Sequence, residues 1–248
     1  MAKAQFAIMA SILLFFFLAC GNKNQNNKVK AASKVEVVDT VSNAFELNNV
    51  LSQKTAEVEQ KQKEEPFELT EENAIEFFFE YAKKTKENKV KLTTSLGSFT
   101  IELYDNVPYH KANFIYLTKL GYFNNTMFHR VVQNFIIQGG NADNRETANK
   151  RREIGRYLLP PDANKGYKHH RGTISMPSSE RDNPHKLASP YEFFIVVTKP
   201  GSYHLDGSYT PFGRVIQGMD VVDKINSVPV DEGDWPMRNI YIIKAEVL

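Results

Sequence analysis

Cys20 is the single cysteine in 248 residues, so no disulfide can close within the chain and no zinc site with several thiolate ligands can form. The adjacent histidines His169 and His170 point apart on an extended chain, and no third ligand stands at a useful spacing, so no metal is assigned. The triplet Lys150-Arg151-Arg152 reads as a solvated loop. A net charge of +2 without an arginine-rich tract speaks against nucleic acid as a partner. Arg130 would ordinarily be a surface arginine paired with a carboxylate, but it is preceded by Phe128-His129 and followed eight positions later by Gln138.

The run Phe128-His129-Arg130-Val131-Val132-Gln133-Asn134-Phe135-Ile136-Ile137-Gln138-Gly139-Gly140 closely resembles the signature of cyclophilin-type peptidyl-prolyl isomerases. Further blocks follow in the family's order: Arg171 to Met176, Glu192 to Ile195, His204 to Gly207, and Phe212 to Val222. The resemblance covers about residues 89–248. It implies a closed eight-stranded antiparallel barrel capped by two helices, peptidyl-prolyl cis-trans isomerase activity (EC 5.2.1.8), and no metal or cofactor. Arg130 matches the family's catalytic arginine, and Gln138 the residue that positions it and binds substrate backbone. Phe135, Ile136, Phe194, Leu205 and Phe212 match the apolar pocket for the proline ring. Ser178, Glu192, His204 and Tyr209 fall at further substrate-binding positions.

Three departures stand out. Glu192 occupies a position that is glutamine in most active members; an ionised glutamate only accepts hydrogen bonds. Two alternatives follow, a pairing with Arg130 that weakens catalysis or a preference for substrates with basic residues near proline. Pro177 removes one backbone donor but leaves its carbonyl. His204 and Tyr209 replace the usual rim residues and tune specificity.

The reaction implied needs little machinery. Rotation about an amide is opposed by about 18–20 kcal/mol because the nitrogen lone pair is shared with the carbonyl. In the twisted state that nitrogen becomes pyramidal and basic, so a fixed cationic donor aimed at it favours the transition state over the planar ground state. A guanidinium can be held and still donate. The partners implied are proline-containing peptides and unfolded or flexible exported proteins. The alternative is a peptide-binding module or chaperone on the same barrel, with turnover spoiled at Glu192 and Pro177. Strand alternation places His129 opposite Arg130, which assigns it to structure.

Eight short runs of strand texture would position these residues: Val90 to Thr94, Phe99 to Leu103, Phe128 to Val132, Phe135 to Gln138, Thr173 to Met176, Phe193 to Val197, Phe212 to Ile216 and Ile240 to Val247. Two helices interrupt them, from Pro108 towards Gly121 and around Met219 to Ile225. Residues 141–170 are expected to be a surface excursion of the barrel.

Residues 1–88 divide differently. Lys3 precedes an apolar run from Phe6 to Ala19, too short for the roughly 20 residues of a membrane span, which reads as a signal peptide over 1–19. Phe17-Leu18-Ala19-Cys20-Gly21 resembles the lipobox of bacterial lipoproteins, which implies lipidation at Cys20, a membrane tether, and a cell-envelope location in the periplasm or at the outer membrane. Residues 20–65 read as the lipidated cysteine and a flexible linker. In 66–88, Thr70 is the expected helix cap, and an apolar stripe with Phe77, Phe78 and Tyr81 must pack on the barrel domain or, through residues 35–88, on a second copy of the chain.

Overall fold

The computed structural model describes residues 67–178 and 184–248. Eight strands close a barrel: β2 (Lys89–Thr94), β3 (Gly97–Leu103), β4 (Thr126–Val132), β5 (Ile136–Asn141), β7 (Thr173–Ser175), β8 (Phe193–Val196), β9 (Pro211–Gln217) and β10 (Ile240–Val247), in the order β10-β2-β3-β9-β7-β8-β5-β4. Every neighbouring pair in it is antiparallel. The eight runs of strand texture thus become the eight staves. Their inward side chains, among them Leu92, Phe99, Ile101, Phe128, Ile137, Phe193 and Phe212, form one buried core, as a closed sheet with one dry face requires.

Helix α2 (Pro108–Lys119) opens on a proline in its first turn and carries Ala112, Phe114, Ile115 and Leu117 into that core; α4 (Met219–Asn226) brings in Val221, Val222 and Ile225. Residues 141–170 differ from expectation. They contain a further helix, α3 (Arg145–Ile154), capped by Asn144, whose side chain accepts from the Thr147 N–H at 2.8 Å, so the basic triplet lies on a helix rather than in a loop. Arginine and lysine on every side hide this helix from an apolar-periodicity reading.

The N-terminal helix α1 (Ala74–Lys84) is integral to the same core. Leu69, Ala74 and Phe78 are fully buried, and Phe77, Phe78 and Tyr81 meet the Tyr116 ring of α2 edge-on. Thr70 takes part in the cap of α1 as expected: its Oγ1 accepts from the Asn73 N–H at 3.4 Å, one half of a reciprocal capping pair. With Leu69 it forms the short strand β1 (Leu69–Thr70), parallel to β6 (Gly155–Arg156), while Asn73 takes the cap position and its Oδ1 accepts from the Thr70 N–H at 2.8 Å. Gly155 has φ 123°, and a Cβ there would lie 2.0 Å from the Leu69 carbonyl oxygen, so only glycine lets β1 approach. The signal peptide, Cys20 and the linker lie outside the described residues, as does the part of the dimer segment 35–88 that precedes Phe67. Among the described residues no helix is long and apolar enough to cross a membrane.

Candidate active site

The site is assembled by strand register. Arg130 on β4 pairs with Gln138 on β5, Gln138 with Phe194 on β8, and Phe194 with Ser175 on β7. Residues directly opposite on antiparallel neighbours share a face, so four strands set these side chains in one row across the barrel's outer surface. Ile136, Phe194 and Val196, with Val132, Phe135, Leu205 and Tyr209 packed against them, form a second apolar cluster separate from the main core. A cavity of about 250 Å³ opens there, lined by Arg130, Phe135, Ile136, Gln138, Pro177, Ser178, Phe194, Leu205 and Tyr209. Tyr209 meets Phe194 edge-on, and the exposed His204 stacks on Phe135 with ring centres 5.4 Å apart, beside the residues that line the cavity.

Phe212 is elsewhere. Its side chain is fully buried in the barrel interior against Phe114 and His110, so it supports the fold and does not line the pocket. The following-motif position misled because a strand residue next to a site can face either side of the sheet.

Glu192 does not pair with Arg130. Its Oε2 accepts from Gln138 Nε2 at 2.9 Å and lies 3.4 Å from His129 Nε2, while its Oε1 lies 3.5 Å from Arg151 Nη2. Burial pushes this carboxyl up, but hydrogen bonds from His129 and Gln138 and the charge of Arg151 outweigh it and hold it below the ordinary glutamate value. It is ionised at neutral pH. An acceptor-only carboxylate fixes the Gln138 amide with its NH2 towards Glu192, which turns the Gln138 carbonyl oxygen to the other side. Arg151, which donates from Nε to the Tyr122 hydroxyl at 2.8 Å, comes from helix α3 rather than from a loop.

His129 also departs from expectation. The β4–β5 pairing advances two residues on β4, Phe128 to Arg130, for one on β5, Gly139 to Gln138, so His129 is the extra residue of a bulge. The bulge breaks alternation and leaves the His129 ring near Gln138 and Glu192.

Three supports were not legible in sequence. Asn226 of α4 is buried, accepts the Asn134 N–H at 2.8 Å, and donates to the Val132 and Ile136 carbonyls at 2.9 and 3.2 Å. It clamps the turn between the strands that carry Arg130 and Gln138. Ser175 Oγ lies 2.9 Å from His169 Nε2, and His169 Nδ1 lies 2.8 Å from Asp206 Oδ1. The contacts have the order of a serine nucleophile's relay, but Ser175 and His169 are wholly buried. The relay is a strut: the His169 ring lies parallel to Phe194, 6.1 Å away, and backs the pocket floor. Burial lowers the His169 pKa despite the opposing influence of Asp206, so the ring is neutral at pH 7 and holds these bonds uncharged. The third support is Asp234, whose Oδ2 lies 3.2 Å from Arg130 Nη2.

Pro177 lines the pocket, and its carbonyl accepts from the Ser189 N–H at 2.8 Å, so that carbonyl serves the fold. Ser178 bridges to Ala188 in antiparallel fashion. Among the described residues no group of three or more potential metal ligands is clustered.

Residues 89–247 match the family described as cyclophilin type peptidyl-prolyl cis-trans isomerase/CLD. The chain is 38% identical over 166 residues to a peptidyl-prolyl cis-trans isomerase of Acinetobacter baylyi, covering 64% of this chain and 84% of the relative. It is 36% identical over 162 residues to one of Arabidopsis thaliana, covering 64% and 93%. Against peptidyl-prolyl cis-trans isomerase-like 2 of Rhizopus delemar the identity is 37% over 171 residues, 68% of this chain and 30% of that longer protein. A crystal structure of a cyclophilin-type isomerase from Cryptosporidium parvum superposes with a TM-score of 0.55 at 27% identity, covering 65% of this chain and 98% of the other. With eight antiparallel strands closed into a barrel, as the resemblance implies, and the family match running along its full length, the chain belongs to the cyclophilin-type peptidyl-prolyl cis-trans isomerases and is an enzyme of that class.

Proposed function

We propose that this enzyme isomerises X-Pro bonds of flexible segments at the β4–β5–β8 row, with Arg130 as the catalytic donor. The observation that carries this reading is the juxtaposition of the guanidinium with an apolar cavity of about 250 Å³ walled by Phe135, Ile136, Phe194 and Leu205. A proline ring seated on that apolar wall brings its imide nitrogen towards the cation. There Arg130 donates to the lone pair that appears only when the amide twists, so it binds the transition state more tightly than either planar isomer. Gln138, its NH2 held by Glu192, has its carbonyl oxygen turned away from that carboxylate, free to accept from the substrate backbone. A related isomerase from Cryptosporidium parvum has been crystallised in the presence of the dipeptide Ala-Pro, which supports an X-Pro ligand here as well.

The test is exchange NMR on a short X-Pro peptide with catalytic amounts of enzyme. Arg130→Ala is expected to lower kcat/KM by about 10²-fold, the scale of losing one pre-organised donor. A folded Arg130→Ala enzyme with wild-type exchange overturns the assignment.

The clients we infer are exported chains, and the enzyme is tethered to a membrane through a lipid on Cys20 in the cell envelope. The support is in the sequence: a short apolar run ends at the only cysteine, and 68 residues, 21–88, separate that cysteine from the start of the family match, ample reach for a tethered domain. Fractionation tests it. Wild type is expected with membranes and Cys20→Ala in the soluble fraction; equal partition of both rules out the tether.

A further inference from the structure

Between α4 and β10 the chain makes a loop whose internal bonds close it on itself. Asp231 Oδ1 accepts from the Gly233 and Trp235 N–H groups, each at 2.8 Å, the Asp231 N–H donates to the Trp235 carbonyl at 2.9 Å, and Val230 bridges Pro236. The tip of this loop is bound to the catalytic strand, because the Val131 N–H donates to the Asp234 carbonyl at 2.8 Å. Asp234 itself has φ 64°, a left-handed conformation that aspartate and asparagine tolerate better than other side chains. In that conformation its Oδ2 reaches Arg130 Nη2 at 3.2 Å, and the next residue, Trp235, lies with its ring 6.1 Å from that of His129. Consecutive residues of the loop therefore engage consecutive residues of β4.

An exposed pair of this kind contributes little to stability, since both partners are about two-fifths open to solvent (43% and 37%). Its value is orientation. Gln138 is fixed by Glu192, whereas Arg130 is a long side chain at the rim with several rotatable bonds. A guanidinium has five N–H donors in one plane. Anchoring Nη2 leaves the others free for substrate and limits the directions in which they point.

We propose that Asp234 is a positioning residue for Arg130, holding the guanidinium plane so that its free donors face the proline nitrogen. This rests on the reading of Arg130 as the catalytic donor. Sequence reasoning had no access to it, because Asp234 stands 104 residues from its partner.

The backbone suggests the variants. Asp234→Gly keeps a residue at ease with φ 64° and the carbonyl that binds Val131, and removes only the side chain. Asp234→Asn keeps both the backbone preference and an accepting oxygen. With the full chain and an X-Pro peptide, Asp234→Gly is expected to lower kcat about tenfold with KM within about twofold, and Asp234→Asn to recover to within about threefold of wild type. Melting temperature and the emission of Trp235, the only tryptophan, should stay as in wild type, which separates positioning from loss of structure. In wild type, ¹⁵N relaxation should find the Arg130 Nε–H as ordered as the backbone; a freely reorienting guanidinium overturns the proposal without any variant. So does Asp234→Gly with unchanged or raised kcat, or Asp234→Asn as slow as Asp234→Gly. Arg130→Ala measured alongside keeps the two claims apart. If it retains wild-type activity, the catalytic assignment fails, whereas an inactive Arg130→Ala beside an unaffected Asp234→Gly sinks the positioning role alone.

Discussion

Arg130 and Gln138 each have an acidic companion, and the two companions act on different atoms. Glu192 takes the amide NH2 of Gln138 and the charge of Arg151, so it completes the site's frame without entering the cavity. Restoring the more usual glutamine is therefore expected to bring no gain. In Glu192→Gln, kcat/KM for a neutral X-Pro peptide should stay the same or fall by up to about fivefold, since the new amide can meet Gln138 with either end. A rise of tenfold or more in the exchange assay would show that Glu192 suppresses turnover. Glu192→Leu is expected to be worse, with a loss of about 1–3 kcal/mol in urea unfolding, because Gln138 and Arg151 lose a shared, partly buried acceptor.

At the scale of elements, the segment before the barrel is fastened by packing. Phe78 is fully buried and meets both Tyr116 of α2 and Tyr157 just beyond β6, so α1 closes over the barrel's flank. Phe78→Ala is expected to cost about 3–5 kcal/mol in denaturant unfolding. Gly155→Ala is a more local test: its Cβ would meet the Leu69 backbone, so β1 should detach while the site row on β4, β5 and β8 keeps its register. Limited proteolysis should then cut near residue 70 with isomerase activity intact. The apolar stripe of α1 that could have served a dimer is in large part spent on α2, with Ile75 and Phe79 left exposed.

For the molecule as a whole, the core carries a pH dependence. His110 is fully buried, neither ring nitrogen has a hydrogen-bond partner among the described residues, and burial pushes its pKa down to about 3. The unfolded chain binds a proton near the ordinary histidine value while the folded chain does not. Stability is thus full above about pH 6.5 and falls as pH drops, by about 1.4 kcal/mol per unit, or about 3 kcal/mol between pH 6.5 and 4. His169, whose pKa is also lowered by burial, adds in the same direction. His110→Leu removes the titrating group and the unpaired nitrogens, and is expected to flatten the profile of unfolding free energy between pH 6.5 and 4. An unchanged slope would mean that His110 is protonated in the fold.

Local pattern determined the strands, the first-turn proline of α2 and the motif residues Arg130, Phe135, Ile136 and Gln138, because alternation, capping and contiguous motifs are properties of neighbours in the chain. Helix α3 escaped because its sides are polar, and His129 was misplaced because a bulge spends one extra residue without any mark in the sequence. Register across β4, β5 and β8 decided that Arg130, Gln138 and Phe194 share a face, and packing of β9 against the barrel interior that Phe212 turns inward. Tertiary structure alone could bring Glu192 to Gln138 across 54 residues and Asp234 to Arg130 across 104. Charge attraction between such residues has no sequence period; it depends on distances that exist only once the barrel has closed.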